Sequence, residues 1–216
     1  MAINLTITNG TVVSAEALES YALTTLNSAK RFIGLSLSES TYDTLLNQLI
    51  NRVTDMLEKR CDGRRFYTTT YTNERYDGNG RAKLFLRNYP IVSVGALTMD
   101  NEAVSEATDY DDYDGYWIEP CIKSIKLIGC LYRVDKWDKG WQNIKITYTA
   151  GYATIPNDLK LACEIAVREF YNLRKNEDGK KSETIGNYSY SFEDMPDKTQ
   201  KEIMNILNYY IPGNYY

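Results

Sequence analysis

Apolar residues recur at helical spacing in two long stretches of this chain and at alternating spacing in the segment between them. Leu45, Leu46, Leu49, Ile50, Val53, Met56 and Leu57 share one helical face, with Ser40 and Asp43 placed as a capping box ahead of it. Lys59 and Arg60 suit the last turn of that helix, and Asp62-Gly63 supplies its stop. The opposite face, Asn47, Gln48, Asn51, Arg52, Asp55 and Glu58, reads as solvated. Leu159, Ala162, Cys163, Ala166, Val167, Phe170 and Tyr171 predict a second long helix, ended by Arg174 and Lys175. Thr25 caps a shorter one carrying Leu26, Ala29, Phe32 and Ile33, with Gly34 at its end, and Ile203, Met204, Leu207 and Tyr210 mark a last helix. The predicted helices span about 25–33, 40–61, 157–175 and 197–210.

From about residue 66 to residue 150 the period changes to two, with β-branched and aromatic residues between turn signals. Asp77-Gly78-Asn79-Gly80 is read as a hairpin turn joining a strand that ends near Arg75 to one through Lys83, Leu84, Phe85 and Leu86. Pro90 opens a strand over Ile91–Met99, Asp100-Asn101 makes another turn, and Ile144, Ile146 and Tyr148 share a strand face. Asn176–Glu183 reads as a flexible loop, and Ile185, Tyr188, Tyr190 and Phe192 as a short strand. The first twenty or so residues carry no period and are read as an arm, residues 1–23, ordered by a neighbour. No repeat is present, and no GxGxxG or P-loop sequence follows a strand. The fold class is therefore α+β, a bundle-like helical body with an inserted antiparallel strand block.

Composition narrows the chemistry. The 216 residues contain no histidine, which excludes Ser-His-Asp and Cys-His dyads, HExxH zinc sites and an imidazole switch. Cys61, Cys121, Cys130 and Cys163 form no CxxC pair and read as buried free thiols of a reducing compartment. No secretory signal and no stretch near the ~20 apolar residues of a membrane span is seen, so synthesis in the cytoplasm is expected and no membrane partner. The net charge of −4 disfavours a protein held on nucleic acid by bulk charge. Nineteen tyrosines, with 3 Trp and 5 Phe, supply half-polar rings that suit either interfaces or strand surfaces.

Charge is segregated along the chain. Residues 100–119 hold Asp100, Glu102, Glu106, Asp109, Asp111, Asp112, Asp114 and Glu119 without a single Lys or Arg. A calcium loop aligned on Gly115 fails, because Tyr110 and Cys121 stand where the first and last carboxylates must be, so no metal and no cofactor is expected. Two such acids could form a glycosidase pair, but no catalytic motif accompanies them. Arg64, Arg65, Arg75, Arg81, Lys83 and Arg87 outnumber Glu74 and Asp77 and read as a basic strand pair interleaved with Tyr67, Tyr71 and Tyr76. That pair could touch phosphate, or meet the acidic loop of a neighbouring copy in a head-to-tail contact that closes a ring; the second is preferred. The terminal run Tyr209, Tyr210, Ile211, Tyr215 and Tyr216 either packs back on its own domain or docks into a groove of another protein.

Several segments together carry a resemblance. They are Thr25–Gly34, Lys59-Arg60-Cys61-Asp62-Gly63-Arg64-Arg65-Phe66, Arg87-Asn88-Tyr89-Pro90-Ile91-Val92-Ser93-Val94, Tyr148-Thr149-Ala150-Gly151-Tyr152, Pro156-Asn157-Asp158-Leu159 and Ile185–Phe192. In this order and spacing they resemble the tailed-phage head-tail connector proteins, also called adaptors or head-completion proteins. The resemblance covers roughly Thr24 to Phe192 and departs from the family at residues 100–140, where this chain inserts the acidic loop, Trp117, Trp137 and Trp141.

The resemblance implies a homo-oligomeric ring, dodecameric in expectation, beneath the portal protein in the neck of the virion, with no reaction to catalyse. Double-stranded DNA would pass transiently through the ring, and a downstream neck or tail protein would dock on it. Residues 24–175 would then be the adaptor domain and 176–216 a C-terminal segment gripping the portal through Tyr209, Tyr210, Ile211, Tyr215 and Tyr216. Asp109, Asp111, Asp112, Asp114, Trp117, Arg75, Arg81 and Lys83 are the candidates for contact with another copy or a tail-side protein. Two other readings stand beside it: a carboxylate-dependent glycan hydrolase of the virion, and a carbohydrate-binding module using Tyr and Trp platforms.

Overall fold

The computed structural model of the chain describes residues 5–8, 11–14, 17–109, 112–118, 129–177 and 191–211. The fold is α+β, and the chain divides into two units: Met1–Arg60 with Pro156–Asn208, and Cys61–Ile155 with Tyr209–Tyr216.

The first unit is helical. It contains α1 (Leu26–Ile33), α2 (Asp43–Arg60), α3 (Asn157–Glu177) and α4 (Asp197–Leu207). The predicted caps of α1 are present: Thr25 Oγ1 accepts from Ser28 N at 3.2 Å, and Gly34 ends the helix with φ +90°. The apolar stripes found by period meet here, with Leu46, Leu49, Ile50, Val53 and Leu57 of α2, Leu159, Ala162, Ala166 and Val167 of α3, and Ile203 and Leu207 of α4 all buried. Asp43 opens α2 instead of standing three residues inside it, and its carboxylate pairs with the buried ammonium of Lys30, which also donates to Glu39 O. Helix α4 stops at Leu207, short of the predicted 210, and residues 208–210 form a turn.

The polar face of α2 is not wholly solvated as its sequence suggests. Asn51 and Glu58 are buried, and the segment ahead of α1 lies on this helix at Asn51 and Thr54. Asn51 accepts from Glu19 N through Oδ1 and donates to Ala17 O through Nδ2, both at 3.0 Å, and Thr54 Oγ1 accepts from Leu23 N at 3.2 Å. Residues 17–24 are thus held by their own chain. Glu164 of α3 then accepts from Thr24 Oγ1 at 2.7 Å and Ser28 Oγ at 2.6 Å, fixing the start of α1. Ahead of this segment β1 (Leu5–Thr8) and β2 (Thr11–Ser14) pair antiparallel, where no period was read. Of the loop and short strand expected after α3, residues 178–190 lie outside the described residues, and Phe192–Asp194 form a 3-10 turn.

The second unit is built on strands: β3 (Thr69–Gly78), β4 (Lys83–Phe85), β5 (Ile91–Met99), β6 (Glu102–Ala103), β7 (Trp117–Ile118), β8 (Cys130–Tyr132) and β9 (Gly140–Ala150). They form a four-stranded sheet in the order β3-β9-β5-β6 and a three-stranded sheet in the order β4-β8-β7. The Asp100-Asn101 turn is present, with φ of 53° and 72° at its two residues, and joins β5 to β6 as a tight hairpin. The hairpin expected across Asp77–Gly80 does not form, because β3 pairs with β9, putting Tyr71 opposite Tyr148 and Tyr76 opposite Ile144. The turn instead carries the chain into the other sheet, held by Gly80 N donating to Trp137 O at 2.9 Å and Arg81 N to Asn79 Oδ1 at 2.8 Å.

Leu84, Leu97, Leu131, Trp137, Ile144, Ile146 and Tyr148 share one core in this unit. Trp137, from the inserted region, is fully buried and donates from Nε1 to Ala82 O at 3.2 Å. Cys61, Cys130 and Cys163 are buried free thiols; Cys121 lies outside the described residues.

Gly151 combines two demands on sequence, a left-handed backbone and a close approach of another segment. Its φ is +112°, and a Cβ there would lie 2.5 Å from Tyr67 O and 2.7 Å from Tyr67 C. Both strain and collision oppose any side chain. Gly151→Ala is expected to lower stability by about 2–4 kcal/mol, read from urea unfolding followed by tryptophan fluorescence; a loss under about 0.5 kcal/mol would contradict the crossing.

Candidate functional site

Three of the segments that carry the resemblance converge in the second unit. Gly151 N donates to Pro90 O at 2.9 Å, Tyr152 N to Phe66 O at 2.7 Å, and Thr68 N to Tyr152 O at 3.3 Å. Residues 66–68, 90 and 151–152 are thereby sewn together at one place. Asp62 and Gly63, with φ of 60° and 72°, turn the chain into this crossing just ahead of Arg64.

Arg64 occupies the centre of the arrangement. It is 2% exposed, and its guanidinium carbon lies 3.8 Å from the ring centroid of Tyr89, 4.8 Å from that of Phe66 and 5.9 Å from that of Tyr210. Tyr210 packs edge-on against Phe66 at 5.7 Å and Tyr152 at 6.2 Å, and its carbonyl accepts from the Tyr89 hydroxyl at 3.0 Å. Among the described residues Nε, Nη1 and Nη2 of Arg64 have no hydrogen-bond partner. A desolvated cation over an aromatic face gains about 2 kcal/mol, whereas burying an ion costs several kcal/mol. The rings alone therefore do not account for the residue.

Beside this cradle, on β3 and β9, lies a fully bonded network. Glu74 Oε2 accepts from Tyr76 OH at 2.6 Å and Tyr148 OH at 3.0 Å. Arg87 N donates to Tyr76 OH at 3.1 Å, and the Arg87 guanidinium lies 4.4 Å from the Tyr76 ring centroid and 3.6 Å from Glu74 Oε2. The carboxylate holds neutral phenols and a cation in place, so its evident work is to clamp strands.

The candidates for contact with other chains are distributed unevenly. Arg75, on the four-stranded sheet, stands opposite Lys145 and donates to Gln142 O at 3.3 Å. Lys83 lies on the other sheet, in one row with Tyr132 and Trp117, whose rings are 6.2 Å apart. Arg81 is exposed in the turn before β4. The basic strand pair is therefore not one surface: Arg64 is buried, Arg87 is engaged with Glu74 and Tyr76, and Arg75 and Lys83 sit on different sheets.

In the acidic segment Asp109 and Asp114 are exposed, Asp112 accepts from Gly115 N at 3.1 Å, and Asp111 lies outside the described residues. The cation missing from that segment arrives from elsewhere, as buried Arg133 donates to Asp114 O at 3.0 Å and Lys136 O at 2.9 Å. Of the terminal aromatic run, Tyr209 is exposed, Ile211 half-buried and Tyr210 buried against its own unit; Tyr215 and Tyr216 lie outside the described residues. Among the described residues no group of three Asp, Glu or Cys could hold a metal ion, and no helix is long and apolar enough to cross a membrane.

Sequence reading missed the cradle. By sequence Arg64 falls in a basic patch, and Tyr89, Tyr152 and Phe66 follow no shared period. The one available signal was that all four lie in segments carrying the resemblance.

Comparison with known proteins covers all of these segments in one match. The model of the head completion protein family matches residues 22–211. A chain in the neck of an empty gene transfer agent particle is 13% identical, with a TM-score of 0.51 over 99% of this chain and 97% of that one. A chain of the native gene transfer agent virion is 14% identical, with a TM-score of 0.51 over 100% of this chain and 98% of that one. The search of curated proteins gives no match. The two structures share the fold, and the match over residues 22–211 shows that this chain belongs to the head completion protein family.

Burial holds the site's phenols protonated. Tyr76 and Tyr148 are pushed above the ordinary value of 10, chiefly by burial, and Tyr89 is pushed up to about 12 by burial against the opposing pull of the Arg64 cation. Because folding raises these values, the stability they contribute is complete below pH 10 and is lost as pH rises through the folded values. A spectrophotometric phenolate titration should show a late group of tyrosines whose ionisation coincides with unfolding. Titration of every tyrosine near 10 in the folded chain would contradict this.

Proposed function

We propose that this protein is a head-tail adaptor of a tailed phage or phage-like particle. Copies of it form a ring in the virion neck beneath the portal, extend the DNA channel and offer a docking surface to further neck or tail proteins. The family match over residues 22–211 carries the reading, and the likeness in fold to neck and virion chains of gene transfer agents supports it. A ring of subunits each with a formal charge of −4 repels duplex phosphates on average, which suits passage of DNA without capture. Twelve copies is the number proposed.

The segment after α4 is the proposed portal contact. Tyr210 anchors it, exposed Tyr209 and half-buried Ile211 are offered outward, and Tyr215 and Tyr216 extend the same aromatic run. Asp109, Asp111, Asp112 and Asp114 with the Lys83–Tyr132–Trp117 row are proposed to meet a neighbouring copy or a tail-side protein, together with Arg75 and Arg81. The work envisaged is fitting, with no bond made or broken.

Purified protein mixed with its cognate portal should give ring-shaped density on the portal's lower rim in negative stain. Tyr209→Ser with Ile211→Ser should weaken portal binding at least tenfold, about 1.4 kcal/mol, with thermal unfolding unchanged. A protein that never rings and never binds portal would overturn the reading, and full affinity in the double variant would overturn the assignment of the contact.

A further inference from the structure

We infer that Arg64 is a binding residue for a carboxylate of a second copy of this chain, and that Tyr210 covers it until that copy docks. The inference rests on the ring reading and names the contact that would hold neighbours together.

A guanidinium presents five N–H donors in a planar fork matched to a carboxylate. In this chain the fork is built and unused: Nε, Nη1 and Nη2 are all buried without a hydrogen-bond partner among the described residues. The aromatic faces of Tyr89, Phe66 and Tyr210 stabilise the charge but leave the fork's directional bonds unmade. A buried guanidinium with all three nitrogens in this state points to a ligand.

Tyr210 belongs to the short segment after α4; its carbonyl accepts from Tyr89 OH, and its ring packs edge-on against Phe66 and Tyr152 and lies over the Arg64 guanidinium. Its neighbour Tyr209 is 41% exposed. Drawing this segment away would expose the guanidinium with Tyr89 still stacked on it.

Charge complementarity points to the occupant. Residues 100–119 carry eight carboxylates and no cation, and Asp109 and Asp114 are exposed. Among the described residues none of these carboxylates bonds Arg64, while Asp112 accepts from Gly115 N and Arg133 donates to the carbonyl of Asp114. A fork on one copy and an acidic segment on the next make a heterologous contact, the kind that closes rings.

Arg64→Met separates binding from structure, because it keeps most of the stem and removes the charge. The chain should unfold at the same or a higher temperature, while the concentration for half-assembly rises at least tenfold. Asp109→Asn with Asp114→Asn should weaken assembly to a similar degree, and adding Arg64→Met to that pair should cause little further loss. Unchanged assembly in Arg64→Met overturns the inference, as does fully additive loss in the triple variant, which would mean that the acidic segment is not the partner. If Arg64→Met does not fold, Tyr210→Ala decides: removing the cover should speed assembly, and an unchanged or slower rate overturns the inference. Wild-type protein that forms no ring under any condition would instead bring down the adaptor reading itself.

Discussion

The backbone crossing at Gly151 is the constraint from which the second unit is organised. Segments far apart in sequence approach within hydrogen-bond distance there, with Gly151 N on Pro90 O and Tyr152 N on Phe66 O. A left-handed backbone and the absence of Cβ are both required, since Tyr67 O occupies the space a side chain would need. β9 ends into this crossing, and its inward residues Ile144, Ile146 and Tyr148 supply much of the unit's core. The same crossing brings Phe66, Tyr89 and Tyr152 around Arg64 and gives Tyr210 a place to seat.

Two kinds of polar interior result. At Glu74 two phenols and the Arg87 cation satisfy the carboxylate, which makes the β3–β9 pairing specific at little risk. At Arg64 the rings shield the cation and its hydrogen bonds remain open. The first is what a structural network looks like; the second departs from the rule that buried donors are paired, and such departures tend to mark function.

The helices were legible because a buried stripe imposes its own period: α1, α2 and α3 lie where Leu, Ile, Val and Ala recur on one face. What covers the other face was not legible, as Asn51 shows. Its side chain is a docking point for residues 17–19, and nothing in the spacing of α2 announces that. Strands were visible as alternation but their partners were not, because pairing is non-local: a good turn sequence at Asp77–Gly80 suggested a hairpin, while β3 found more to bury against β9. The β1–β2 pair has a local signal, Asn9-Gly10 between short β-branched runs too brief to establish a period. The cradle could not be read at all, since Arg64, Tyr89, Tyr152 and Tyr210 meet only after the sheet is folded.

On the proposed reading this head completion protein works by shape and by a few held-back polar groups. Its helical unit secures its own N-terminal approach through Asn51, Thr54 and Glu164, and its strand unit carries the Lys83–Tyr132–Trp117 row proposed to meet other chains. The most direct test is electron microscopy of particles made when the protein's gene is disrupted. The account predicts heads that keep their portal but lack neck density and tails, with the defect reversed by supplying the wild-type chain. Complete tailed particles with an unaltered neck would contradict it.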